Sequence, residues 1–118
     1  MDLLDKNIEE SEGSFYEKLH QEGYFDHGLF AEIILFVDNL NGKGLSEIER
    51  LRKSCQLWEL AYRVQSNFGY SYNKNDAYEI INVEEEKLVE IGQVLEYICR
   101  QFTENKQLDL DFIKEMTT

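Results

Sequence analysis

The chain contains no proline and only two cysteines in 118 residues. Without proline no helix is interrupted from within, which fits a helical protein with short connections. Cys55 and Cys99 stand on apolar helical stripes with no C-x-x-C spacing. One disulfide is open to them, but the pattern favours buried free thiols in a reduced compartment. Positive charge is the next scarcity: 12 Lys and Arg face 24 Asp and Glu, a formal net charge of −12. This deficit argues against nonspecific binding to nucleic acid or to an anionic membrane, since both need a basic surface. No apolar run approaches the roughly 18 residues of a membrane span. The opening residues MDLLDKNIEE place acids where a signal peptide needs bases. The expectation is a single helical domain over residues 1–118, without a membrane segment and cytoplasmic.

Apolar periodicity is what the chain does have. Its composition, 42% hydrophobic and 13% aromatic, is globular. The clearest pattern runs from Leu45 to Phe68 and holds the only Trp. Ser46 with Glu49 forms a capping box, in which the hydroxyl accepts from a free first-turn N–H and the carboxylate reaches back. Ile48, Leu51, Cys55, Trp58 and Tyr62 follow at spacings of three and four, one face of a helix. Leu57, Ala61, Val64 and Phe68 make a second stripe beside it. A helix apolar on two adjoining faces is expected to be packed on both, which makes this segment the centre of the fold.

The other elements are read outward from it. Leu3, Leu4 and Ile8 predict a short helix within residues 1–12. Ser14 with Glu17 is a second capping box, opening a helix that Gly23 ends. Asp26 to Leu40 carries Leu29, Phe30, Ile33, Ile34, Phe36, Val37 and Leu40, with Asp26 as cap and Gly42 as left-handed stop. Only about five residues separate this helix from the central one, so the two are expected to pack as antiparallel neighbours. Tyr78–Val83 reads as a short extended piece or a poor helical turn. Asn82 with Glu85 is expected to open the last long helix, whose Leu88, Ile91, Leu95, Ile98 and Phe102 should pack against the central one. Asp109 caps a terminal piece. The fold class is all-α: a compact bundle of about four to six helices around the Trp-bearing helix.

Charge is unevenly spread: residues 1–42 sum to −8, residues 43–74 to +3 and residues 75–118 to −7. The negative surplus must face solvent or a partner. His20 and His27, seven apart across a glycine, have no recognised metal-ligand spacing. Gly42-Lys43-Gly44-Leu45-Ser46 lacks the glycine separation and preceding strand of a phosphate loop. Carboxylates are so abundant that no pair stands out for acid–base work, and no Ser or Cys stands in a nucleophile context. The expectation is therefore no enzyme, no catalytic residue, no metal and no cofactor.

Phe68 to Asn82, continuing into the glutamates, is the candidate partner-binding region. Tyr70, Tyr72 and Tyr78 offer large contact area at low entropy cost, and Asp76, Glu79, Glu84, Glu85 and Glu86 offer fixed negative charge for a basic partner. The bland alternative is a tyrosine lid packed on the bundle, with glutamates serving the helix macrodipole.

In overall character, and in the stretch from Trp58 through NDAYEIINVEEE to Phe102, the chain resembles the immunity proteins of bacterial polymorphic toxin systems, those of contact-dependent growth inhibition loci above all. The resemblance implies a cytoplasmic, non-enzymatic protein that binds a cognate toxin domain, often a basic nuclease, and blocks its active site or substrate entry. It carries over no individual site residue. Two other readings stay open: an acidic mimic of DNA that inhibits DNA-binding proteins, and a self-associating adaptor subunit. The oligomeric state is not legible.

Overall fold

The computed structural model describes all 118 residues, in six helices and no strand. These are α1 (Leu3–Ile8), α2 (Phe15–Glu22), α3 (His27–Asn41), α4 (Glu47–Tyr72), α5 (Glu85–Thr103) and α6 (Leu110–Thr117). No helix is long and apolar enough to cross a membrane. Local chemistry explains most of the starts. The Ser46 hydroxyl accepts from the Glu49 N–H at 3.2 Å while the Glu49 carboxylate accepts from the Ser46 N–H at 3.4 Å. Asp2 and Asp5 form the same reciprocal pair on α1, and Asp26 and Asp109 cap α3 and α6. The second expected box is half made: Ser14 accepts from the Glu17 N–H, but Glu17 reaches Gly13 instead of Ser14. At the end of α3, Gly42 is right-handed at φ −82°, and the left-handed residue is Gly44 at φ +64°.

α4 spans 26 residues, about 39 Å at 1.5 Å per residue, and runs one turn beyond Phe68. Its Leu57, Leu60, Ala61, Val64 and Phe68 are buried in a core of 25 apolar side chains. α5 is its principal neighbour and α1 lies along its other flank. α3 is not a close backbone neighbour of α4, contrary to the expectation from their short connection; α3 approaches α1 and α5 instead. Its Phe30, Ile33 and Ile34 face Leu57, Leu60 and Val64 across a void of about 10 Å³ lined only by apolar side chains. These bulky side chains hold the two backbones apart.

The larger correction concerns the first apolar stripe of α4. Ile48, Leu51, Trp58 and Tyr62 are 64%, 65%, 42% and 75% exposed, and Cys55 is exposed with them. With α1 and α5 on its flanks and the core beneath, the outer side of α4 is covered by none of residues 1–118. Cys55 is thus a surface thiol. Cys99 is buried as expected, its thiol pushed up to about 12 by burial, and both cysteines are free.

Polar contacts orient the helices on this apolar seam. Arg50 donates to Asn41 Oδ1 and to the Phe102 carbonyl, both at 2.9 Å, with its guanidinium 4.9 Å from the Phe102 ring centre. One side chain thereby ties the end of α3, the start of α4 and the end of α5. Tyr16 does the same for α1, α2 and α4: its N–H donates to buried Asn7, and its hydroxyl accepts from buried Asn67. Arg63 Nη1 donates to the Ile8 carbonyl, and Lys53 lies 2.5 Å from Asp2 and 3.6 Å from Asp5.

Asp5 accepts from Gln56 and from the Asp2 N–H, and with Lys53 nearby its carboxyl is held at about 2 against an ordinary 3.8. The folded protein therefore binds this proton less readily than the unfolded chain. The stabilisation is complete above the ordinary value and is lost as pH falls towards 2. Thermal melts should show the midpoint falling across that acid window. Asp5→Asn should lower the midpoint near neutrality and flatten the acid limb; an acid limb parallel to the wild type would assign the sensitivity to another group.

Candidate partner-binding end

α4 ends at Tyr72, and Asn73 begins a loop built from side-chain turns. Asn73 Oδ1 accepts from the Asn75 N–H at 3.0 Å and Asp76 Oδ1 from the Tyr78 N–H at 2.9 Å. The chain then turns inward at buried Ile80, whose N–H donates to Ser71 Oγ at 3.1 Å. Ile81 N–H donates to the Gly23 carbonyl at 2.9 Å. Asn82 does not cap α5 as expected. Its side chain instead pairs with the Phe25 backbone in both directions, accepting from the N–H at 2.9 Å and donating to the carbonyl at 2.8 Å. Glu84 takes the cap position without a side-chain hydrogen bond, and α5 starts at Glu85. The segment 73–84 is thus fastened to the turn between α2 and α3.

Tyr78 is half-buried: its hydroxyl donates to the Leu19 carbonyl and burial drives its phenol well above the ordinary range. Its ring meets Tyr70 edge-on with centroids 6.4 Å apart. Tyr70 and Tyr72 remain 50% and 37% exposed. Burial, and then the nearby Glu85 carboxylate, raise the Tyr72 phenol. Of the predicted tyrosines, then, Tyr78 serves the lid while Tyr70 and Tyr72 present surface. Asp76, Glu79, Glu84, Glu85 and Glu86 are all exposed, and none of these five carboxylates joins any of the eight ion pairs. Asp76 is spent partly on its own turn; Glu79 places its carbonyl over Gly23 and its side chain in solvent.

Two exposed side chains escaped the reading of the sequence: Ile81, 69% exposed, and Tyr24, 42% exposed. Ile81 is fastened by its N–H beside Tyr24, at Gly23. The signal available was the extended character of YEIINV: successive residues of extended backbone face opposite ways, so Ile80 inward implies Ile81 outward.

Elsewhere several polar groups are occupied by near neighbours in the chain. His20 Nδ1 lies 2.9 Å from Glu10, which also accepts from Gln21 at 2.6 Å. Burial alone would raise the Glu10 carboxyl, but these hydrogen bonds outweigh it and the carboxyl sits below its ordinary value. His27 edges the Phe25 ring. No group of three or more His, Cys, Asp or Glu is placed to hold a metal ion. Comparison with protein-family models, curated proteins and solved structures finds no match to this chain.

Gly23 is the residue on which the loop rests. It is left-handed at φ +65°, and a Cβ there would lie 2.1 Å from the Glu79 carbonyl oxygen. Gly13 has a similar φ of +81° but open space around it. Gly13→Ala should therefore cost about 1–2 kcal/mol from backbone strain alone. Gly23→Ala should cost at least about 3 kcal/mol, since the loop must also move. Urea denaturation compares them; equal losses would show that Glu79 does not press on Gly23.

Proposed function

We propose that this protein is a cytoplasmic, non-enzymatic inhibitor of the immunity type, which binds a basic partner domain through the Tyr70–Glu86 end. A toxin domain acting on nucleic acid is the partner class that fits best. The observation carrying this reading is that five exposed carboxylates, none with an internal cation, stand beside two exposed tyrosines on a loop already fastened to the bundle. A fastened loop has lost most of its freedom before any partner arrives, so little further ordering opposes binding. A nuclease must present positive charge to phosphate. A fixed acidic surface can occupy that place, with association accelerated by electrostatic steering. DNA mimicry fits less well, because it needs carboxylates along one long face. Here the outer face of α4 is apolar and flanked by Lys43 and Arg52.

Affinity capture from the native host at low and then physiological salt, read by mass spectrometry, tests the proposal. The expected result is one dominant small basic domain. Against the purified partner, neutralising Asp76, Glu79 and Glu84–Glu86 together should slow association by roughly tenfold or more at low salt and reduce its salt dependence. Tyr72→Ala should chiefly speed dissociation. A broad set of DNA-binding proteins would replace this reading with mimicry, and recovery of the bait alone would overturn it.

A further inference from the structure

Ile48, Leu51, Cys55, Trp58 and Tyr62 repeat at spacings of 3, 4, 3 and 4 residues. This is the a/d recurrence by which one helix seats another over two heptads. The stripe lies on the uncovered side of α4. Its borders are already in use: Gln56 donates to Asp5 of α1, and Trp58 Nε1 donates to Thr103 of α5 at 3.0 Å. Trp58 is held in place by that bond while 42% of it stays exposed.

The stripe is also self-complementary. Its midpoint is Cys55, and on one flank Arg52 and Glu59 lie at nearly equal distances either side of it. If Ile48 and Leu51 are a and d, both charged residues occupy e positions. Arg52 joins no ion pair within the chain, and Glu59 meets only Arg63. In an antiparallel helix pair like flanks face each other, so Arg52 of each chain meets Glu59 of the other. A two-fold contact requires this self-matching.

We propose that a second copy of this chain docks on the outer face of α4. The helices cross antiparallel about a two-fold axis between Cys55 and Trp58, with Leu51 of each copy against Tyr62 of the other and Cys55 against Trp58. Electrostatics selects this direction. The segment around the stripe, residues 43–74, sums to +3, whereas residues 75–118 sum to −7. A parallel pair would set the two acidic ends side by side. The antiparallel pair sends each Tyr72 end about 25 Å from the axis in opposite directions. That leaves them about 50 Å apart, far beyond a Debye length of about 8 Å. The seam lies well short of Tyr72, so it stands or falls separately from the partner-binding proposal. The dimer would carry two outward-facing acidic ends.

Sedimentation of the full chain at physiological salt tests this. The expected species has twice the 14.0 kDa of one chain and dissociates on dilution. Leu51→Asp and Tyr62→Asp alter exposed positions, so they should abolish the dimer while the helical circular-dichroism signal and melting midpoint hold. Arg52→Glu should weaken dimerisation tenfold or more, and adding Glu59→Arg should restore it; a parallel pair predicts no restoration. A wild type that stays monomeric at about 0.1 mM, well above a micromolar dissociation constant, overturns the proposal. So does a dimer indifferent to Leu51→Asp and Tyr62→Asp, or a charge exchange that fails to restore association.

Discussion

Burial of the inner side of α4 against α5 is the contact from which the architecture follows. Leu57, Leu60, Ala61, Val64 and Phe68 of α4 and Leu88, Ile91, Leu95, Ile98 and Phe102 of α5 supply ten of the 25 core side chains. Burying such side chains contributes on the order of 1.5–3 kcal/mol each before entropy is charged against it. Apolar burial is non-directional, so it does not by itself set how the shorter helices lie. Buried and half-buried polar groups do that. Tyr16 joins Asn7 and Asn67, and Arg50 joins Asn41 and the Phe102 carbonyl. Each would be costly if left unpaired, so each admits few helix arrangements.

The long helix also separates two surfaces of different character. At its N-terminal half the outer side is apolar, edged by charges of both signs. At its C-terminal end the surface is acidic, carries Tyr70 and Tyr72, and is stiffened by Asn82 on the Phe25 backbone. The negative surplus is not neutralised inside the bundle. Six of the 12 Lys and Arg side chains are engaged with nearby acids, while the acids at the start of α5 are left without internal partners. Their place in the first turn is favoured by the α5 macrodipole. The same placement leaves them available to a basic partner.

Much of this was legible from residues alone. The all-α class, the central Trp-bearing helix, the terminal helix after Asp109 and the α4–α5 pairing all follow from recurrence and caps. A cap is a contact between residues three apart, so its chemistry is complete within the sequence that encodes it; Ser46–Glu49 is the example. Asn82 with Glu85 has the same spacing and a different outcome. The Phe25 backbone, 57 residues away in sequence, was free to pair with the Asn82 side chain. The acidic residues proposed for binding are where their sequence context put them. Tyr78 is drawn inward by a carbonyl on α2, and Ile81 is turned outward.

Sequence by itself determined which segments are helical, where most of them begin, and that α4 has two apolar stripes. Only the tertiary structure decided which stripe the chain would bury. Periodicity gives the direction of a side chain about its own helix axis and carries no information on which neighbours can reach it. The stripe from Ile48 to Tyr62 is the longer, five residues against four, yet it is the one left open. α1 and α5 lie along the flanks of α4, the core closes beneath it, and none of residues 1–118 packs over the outside.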